Sequence, residues 1–376
     1  MKVLVTGGAG FIGSHVVDRL VGRGNEVVVL DNLDPQVHGP EATEPVHIAS
    51  HVASRAVEFL RADVLDREPL RRALHGVEAV VHLAAAVGVG QSMYEPFHYV
   101  HTNGSGTGQL LQLLTEKGKV AKLVVASSMS LYGEGAYECG ACGGHTPRIR
   151  DEAQLSRGDW EVKCADCGAS LTPKPTSEDK PADIASIYAA TKKHQEDLAV
   201  SFGRAYKIPT FALRFFNVYG PRQSLSNPYT GVAAIFMSRL LNQKPPLVFE
   251  DGEQSRDFIH VDDIAEAVVR AVEFSGAGAH VLNVGTGRPV TIRQVAAVLA
   301  KEMGVEISAT ALGRYRAGDV RHCFADARRA EQLLDFRAER CFEDGVRSLI
   351  EWSLHEKPQD AVDKCMAELE THNLVR

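Results

Sequence analysis

Lys2-Val3-Leu4-Val5-Thr6-Gly7-Gly8-Ala9-Gly10-Phe11-Ile12-Gly13 opens as an apolar run short enough for a buried strand, turns through glycines, and leads into an amphipathic stretch from Ser14 to Arg23. That is strand, glycine-rich turn and helix. A second apolar run, Glu26 to Leu30, ends in Asp31, 18 residues after Gly13. Each part has a physical role in holding a dinucleotide. Gly7 permits the tight turn, Gly10 lets backbone approach a pyrophosphate, and Gly13 lets the helix pack close to the strand. The phosphates then meet the positive end of a helix, and Asp31 is placed to accept hydrogen bonds from both ribose hydroxyls. A carboxylate there repels a 2'-phosphate, so NAD is favoured over NADP.

Working outward, Val57 to Leu60 leads to Asp63, and Ala79 to Leu83 and Ala121 to Ala126 repeat the pattern with helical stretches between them. Alternation of this kind implies an α/β fold with a doubly wound parallel sheet and ligands at the carboxyl ends of its strands. Asp63-Val64 falls where an adenine lies, and His82 to Ala86 where the middle of the cofactor passes. A chain of 376 residues with 44% hydrophobic content fits two compact lobes better than one. Met1-Lys2 runs directly into the first strand, and no stretch of ~18 apolar residues occurs, so a soluble cytoplasmic protein without membrane contact is expected. With 48 acidic against 41 basic residues and a net charge of -7, nucleic acid is not an expected partner.

Tyr188 and Lys192 are four residues apart and share one face of a helix. A phenol with an ordinary pKa near ~10 is a poor base at neutral pH. An adjacent ammonium and a cationic nicotinamide favour the phenolate, which makes Tyr188 a candidate general base.

These stretches, with Ser127-Ser128 and Leu131-Tyr132-Gly133, Leu213 to Arg222 and Arg256 to Asp263, resemble the extended short-chain dehydrogenase/reductase family, in its nucleotide-sugar epimerase and dehydratase group. The resemblance covers nearly the whole chain. It implies a Rossmann domain over 1–216 with 258–283, and a smaller α/β nucleotide-sugar-binding domain over 217–257 with 284–376. It implies a tightly held NAD, contacted by Gly7, Gly10, Phe11, Ile12, Gly13, Asp31, Asn32, Asp63, Val64, Leu83, Ala84, Ala85, Asn103, Tyr188 and Lys192. It implies transient oxidation at carbon 4 of a nucleoside-diphosphate sugar, with Ser128, Tyr188 and Lys192 catalytic. Ser128, Ser130, Asn217, Arg222, Arg256, Arg316 and Asp319 are the implied substrate contacts, and Tyr229 to Val232 the sugar-pocket lining. A homodimer follows by the same analogy, through the helix after Asn103 and the one bearing Tyr188.

Within that group, dehydratases carry an Asp-Glu pair after the catalytic serine or threonine, where this chain has Met129-Ser130. Neither side chain can act as a carboxylate acid or base, so 4-epimerisation is expected rather than elimination. The lysine that galactose-type epimerases carry after the His82 strand end is absent from Val87 to Ser92. That loosens the link to a UDP-hexose.

The stretch from Ser128 to Tyr188 is longer than in that group and carries Cys139, Cys142, Cys164 and Cys167 as two CxxC pairs, separated by 21 residues. This is just beyond the usual ~15–20 spacing of a four-cysteine site. Two such knuckles give a closed tetrahedral zinc site with no open position for substrate. A structural, zinc-ribbon-like insertion over 134–177 is expected, with His145 able to replace one ligand and a redox disulfide pair as runner-up. The knuckles also resemble a subgroup of these enzymes acting on dTDP-L-rhamnose. The alternatives are a UDP-glucose or UDP-glucuronate 4-epimerase, a nucleotide-sugar 4,6-dehydratase, and a non-catalytic NAD-binding protein whose zinc ribbon contacts a partner. Cys323, Cys341 and Cys365 read as ordinary thiols.

Overall fold

The computed structural model describes every residue except Lys119 and Lys357. Five strands follow the expected runs: β1 (Lys2–Thr6), β2 (Glu26–Asp31), β3 (Val57–Arg61), β4 (Ala79–His82) and β5 (Lys122–Ser128). With Thr210–Phe215 and Ala279–Val284 they form one parallel sheet of seven strands. The order runs from Ala279–Val284 through Thr210–Phe215, β5, β4, β1 and β2 to β3. The order reverses between β1 and β4, and that switch point opens the crevice in which such sheets bind ligands.

Alternation along β1 explains the two layers of helices. Val3 and Val5 face α1 (Phe11–Gly22) and the helix Val261–Glu273, while Leu4 faces the helices Arg67–Ala73, Gly106–Lys117 and Ile187–Tyr206. All three side chains are fully buried, each worth about 1.5–3 kcal/mol relative to exposure. The first helix begins at Phe11, not at Ser14 as the amphipathic stretch suggested. Gly10 already stands at the N-cap, so the last glycine of the motif is helical.

A second core joins the helices Val232–Leu241, Ile292–Met303 and Phe342–Ser353. Its small sheet is built on Ser255–His260, which pairs with Asn217–Tyr219, Pro289–Thr291 and His322–Cys323. The expected assignment of everything after 284 to this lobe needs correction. Cys323, Ala325, Ala330, Leu334 and Phe336 pack in the core of the large sheet, because the helix Arg328–Leu334 returns to cover the edge strand Ala279–Val284.

The cysteine-bearing insertion is a small unit with its own core of Tyr137, Cys139, Val162, Cys164 and Leu171. Ala136–Cys139 is the centre of its antiparallel sheet, flanked by Gly143–His145 and Thr172–Lys174.

Candidate active site

The glycine loop is shaped by close approach. Gly7 has φ +72°, and a Cβ on it would lie 2.8 Å from Ala84 N; a Cβ on Gly13 would lie 2.0 Å from Gly7 O. Only glycine fits either place. Gly10 differs, since its nearest neighbour would be Gly7 O at 3.5 Å, which leaves that side of the loop open. Gly10 brings no side chain to cap α1, so the first-turn amides at Phe11 and Ile12 are presented to an anion.

Asp31 stands at the end of β2 as expected, and its buried carboxylate also holds the loop. Oδ2 accepts from Ala9 N at 3.0 Å and Oδ1 from Leu33 N at 3.0 Å. His38, which no motif singled out, comes within 3.6 Å of Oδ1. Asn32 Nδ2 donates to Asp63 Oδ2 at 2.8 Å, bringing the β2 and β3 ends together beside buried Val64. These residues fit a dinucleotide: an open backbone cradle at a helix N-terminus, with a carboxylate beside it and none of the cationic side chains a 2'-phosphate needs among the groups named.

At the end of β4, Leu83 N donates to Thr6 O at 3.0 Å, continuing the pairing with β1. Leu83, Ala84 and Ala85 then leave the sheet. Asn103 is set back from the crevice: it is fully buried, Oδ1 accepts from Ala86 N at 2.7 Å, and Nδ2 donates to Ala86 O at 3.1 Å and Thr191 Oγ1 at 2.9 Å. These bonds brace the loop after β4.

Ser128 ends β5, and its Oγ accepts from Ser130 N at 3.2 Å at the start of the turn Met129–Tyr132. Tyr188 sits in the first turn of Ile187–Tyr206, a helix capped by Ser186, and its backbone N–H donates to Ser92 Oγ at 3.0 Å. Burial pushes the phenol up to about 12, and the Ser128 hydroxyl pulls the other way. The position near the helix N-terminus favours the anion further. Lys192 lies one turn on, with burial lowering it to about 7. Its Nζ donates to Gln195 Oε1 at 2.8 Å, and its charge acts on His82. His82 itself is held neutral, driven down to about 3 by burial and then by Lys192, in a chain from Thr6 Oγ1 at 2.8 Å to Thr107 Oγ1 at 3.0 Å.

In the second lobe, Arg256, Arg316 and Asp319 come together. Asp319 Oδ1 accepts from Arg256 Nη2 at 3.2 Å, and Oδ2 accepts from Arg316 Nη2 at 2.9 Å. Burial raises the Asp319 carboxyl, but the two guanidinium groups outweigh it and hold the group at about 2. Arg316 also lies 4.7 Å over the Phe249 ring. Asn217 Oδ1 and Ser130 Oγ are buried without a hydrogen-bond partner in the protein. Arg222 is placed elsewhere than expected. With φ +69° it turns to α1 and pairs with Asp18 Oδ2 at 2.7 Å. Tyr229 meets two residues missed in the sequence: its hydroxyl donates to Glu368 and lies 2.5 Å from the Tyr94 hydroxyl.

The two CxxC pairs converge. Ligand atoms of Cys139, Cys142, His145 and Cys164 all lie within 4.8 Å of one another, and Cys167 Sγ is 3.5 Å from Cys139 Sγ. The Ala141 and Cys142 amides pull the Cys139 thiol down to about 6, while crowding by Cys167 first pushes Cys142 up to about 12. Three thiols and an imidazole thus gather in one place with Cys167 against Cys139, a set suited to a tetrahedral zinc ion.

The family described as "NAD dependent epimerase/dehydratase family" matches residues 3–148 and 165–285. The chain is 35% identical over 359 residues to dTDP-L-rhamnose 4-epimerase of Burkholderia thailandensis, covering 94% of this chain and 95% of that protein. It is similar to the solved UDP-N-acetylglucosamine 4-epimerase from Methanobrevibacter ruminantium in complex with UDP-N-acetylmuramic acid: TM-score 0.74, 30% identity, 94% of this chain and 98% of the other. The UDP-glucuronic acid 4-epimerase from Bacillus cereus, in complex with UDP-glucuronic acid and NAD, matches with TM-score 0.76 at 28% identity over 94% and 98% of the two chains.

Proposed function

The chain belongs to the NAD-dependent epimerase/dehydratase family, and we infer that it is an NAD-dependent 4-epimerase of nucleoside-diphosphate hexoses, acting on dTDP-L-rhamnose or a related dTDP- or UDP-sugar. The observation that carries this reading is the Ser128 hydroxyl acting on the Tyr188 phenol, with Lys192 one turn on along the same helix, while Met129 and Ser130 stand where elimination needs carboxylates.

Bound NAD supplies the hydride acceptor and donor. Gly7, Gly10 and Gly13 with the first turn of α1 hold its diphosphate, and Asp31 its ribose. Tyr188 takes the proton of the 4-hydroxyl, Ser128 relays or holds that proton, and Lys192 would bind the ribose and favour the Tyr188 phenolate. The 4-keto sugar turns over in the pocket, and Tyr188 returns the proton to the other epimer. Asn217, Arg256 and Arg316 hold the diphosphate through planar donor forks and an amide. Ser130 Oγ contacts the sugar.

Cys139, Cys142 and Cys164, with Cys167 or His145, bind one structural zinc, which closes the loop without touching the chemistry. The protein works as a cytoplasmic homodimer; a monomer mass by light scattering would remove that part of the reading.

The test is chromatography of the products after incubation with dTDP-L-rhamnose, UDP-glucose and UDP-glucuronate in turn. One substrate is expected to equilibrate with its 4-epimer. Accumulation of a 4-keto-6-deoxy product would assign a dehydratase instead, and no interconversion of any candidate would assign a silent NAD-binding protein.

A further inference from the structure

The cysteine insertion is bolted to the second lobe by two buried arginines. Arg150 of the insertion, 1% exposed, donates through Nη1 to Glu250 Oε2 at 3.0 Å and through Nη2 to Glu250 Oε1 at 2.8 Å. Its Nε lies 3.3 Å from Glu134 Oε1, and Nη1 also donates to Trp160 O at 2.8 Å. Arg321 reaches back, donating to Glu250 Oε2 at 2.9 Å and to Glu161 Oε1 of the insertion at 3.0 Å. Glu134 and Glu250 are themselves completely shielded from solvent. Such a network holds one geometry, because every alternative leaves a charge unpaired in low dielectric.

The last contact of Arg150 matters most. Nη2 donates to the main-chain carbonyl of Asp319 at 3.2 Å. The side chain of that same Asp319 aims Arg256 and Arg316. A continuous path of hydrogen bonds therefore runs from the cysteine-tied insertion, through Arg150 and Asp319, to both guanidinium groups. The family match passes over residues 149–164, the segment that carries Arg150, Trp160 and Glu161. The brace thus starts from a segment outside the part matched to the family.

We propose that Arg150 is a positioning residue for the nucleotide-diphosphate site, by which the insertion sets how tightly substrate is held without entering the chemistry. The proposal rests on the reading that Arg256 and Arg316 bind the diphosphate. It differs from a simple glue between lobes, which would affect folding, cofactor retention and turnover together.

The experiment uses the full chain loaded with NAD, as Arg150→Lys and Arg150→Met. Lysine keeps the charge against Glu134 and Glu250 but lacks the fork that spans Glu250 and the Asp319 carbonyl at once. KM, kcat, bound NAD and the Kd for UDP and dTDP are measured. The expected result is a roughly tenfold rise in KM and in the nucleotide Kd, the effect of one lost hydrogen bond from a charged group, with kcat and NAD content unchanged. Wild-type KM and Kd in folded Arg150→Lys would overturn the proposal, as would a parallel fall of kcat, affinity and NAD content. If Arg150→Met does not fold, Arg150→Lys decides alone. Arg316→Gln separates the two levels: an unchanged nucleotide Kd there removes the diphosphate reading itself, and with it the role of Arg150.

Discussion

Tyr188 and Lys192 show how burial opposes the chemistry that their spacing suggests. The phenol at about 12 and the ammonium at about 7 are both pushed toward their neutral forms. Tyr188→Phe removes the proton acceptor and keeps the ring, so turnover should fall by at least ~10²–10⁴-fold with NAD still bound, as checked by kcat and cofactor absorbance. Lys192 carries a second prediction. Its folded value is depressed from 10.5 to about 7, so across that window the unfolded chain binds more protons and stability rises with pH. In NAD-free protein, Lys192→Met should therefore raise the melting temperature by roughly 2 °C or more near pH 7, with the gain shrinking toward pH 10.5. Calorimetry across pH checks it; a gain that grows with pH would contradict the depressed value. The Tyr188–Lys192 pair was legible because a spacing of four on a helix fixes a common face. The direction of the ammonium was not legible, because Gln195, its partner on the same helix, is itself held by His82 and Thr107 from two other elements.

At the scale of elements, the first strand, turn and helix form one rigid part. A Cβ at Gly13 would sit 2.0 Å from Gly7 O, so Gly13→Ala must push α1 off β1 or distort the loop that cradles the cofactor. The expected cost is about 1–3 kcal/mol of stability with NAD lost on purification, read by thermal melting and by cofactor content. An NAD-replete Gly13→Ala protein of unchanged stability would contradict the packing. These roles of Gly7 and Gly13 could be read in advance because turn, phosphate approach and helix packing follow each other within one short segment. Asp31 was legible as a strand-end carboxylate, but its grip on Ala9 and Leu33 was not, since a hydrogen bond back to the glycine loop depends on how two neighbouring strands pair. Arg222 and Asn103 illustrate the same limit. A motif places the residue at the site, and the partners the fold brings up, Asp18 for Arg222 and Ala86 with Thr191 for Asn103, decide where the side chain goes.

For the whole molecule, the cysteine unit is a third core of five residues, too small to be stable without a staple. Metal analysis should find about one zinc per chain, bound by a four-ligand closed site. Removing it with a chelator should expose the 139–167 region to limited proteolysis while the large sheet, with its own core, keeps its far-ultraviolet dichroism. Protein free of metal with an uncleaved insertion would contradict the structural role. Two CxxC pairs announced this unit in the sequence. His145 was already a candidate ligand beside them, whereas the tie from Arg150 to Asp319 required the folded chain.

The sequence by itself determined the sheet, the dinucleotide cradle, the Ser128, Tyr188 and Lys192 set and the cysteine cluster, because each is encoded by periodicity or fixed spacing over a few residues or by a motif shared with a large family. Tertiary structure alone decided which lobe residues 323–336 join, where Arg222, Asn103 and Lys192 point, and what the insertion touches. Those outcomes depend on partners that other parts of the fold supply, such as Arg222 with Asp18, Arg150 with Asp319 and Tyr229 with Glu368, and for Lys192 on the burial imposed by the elements packed around it. Such pairs leave no local pattern, since a buried charge is stabilised by whichever partner the fold brings to it.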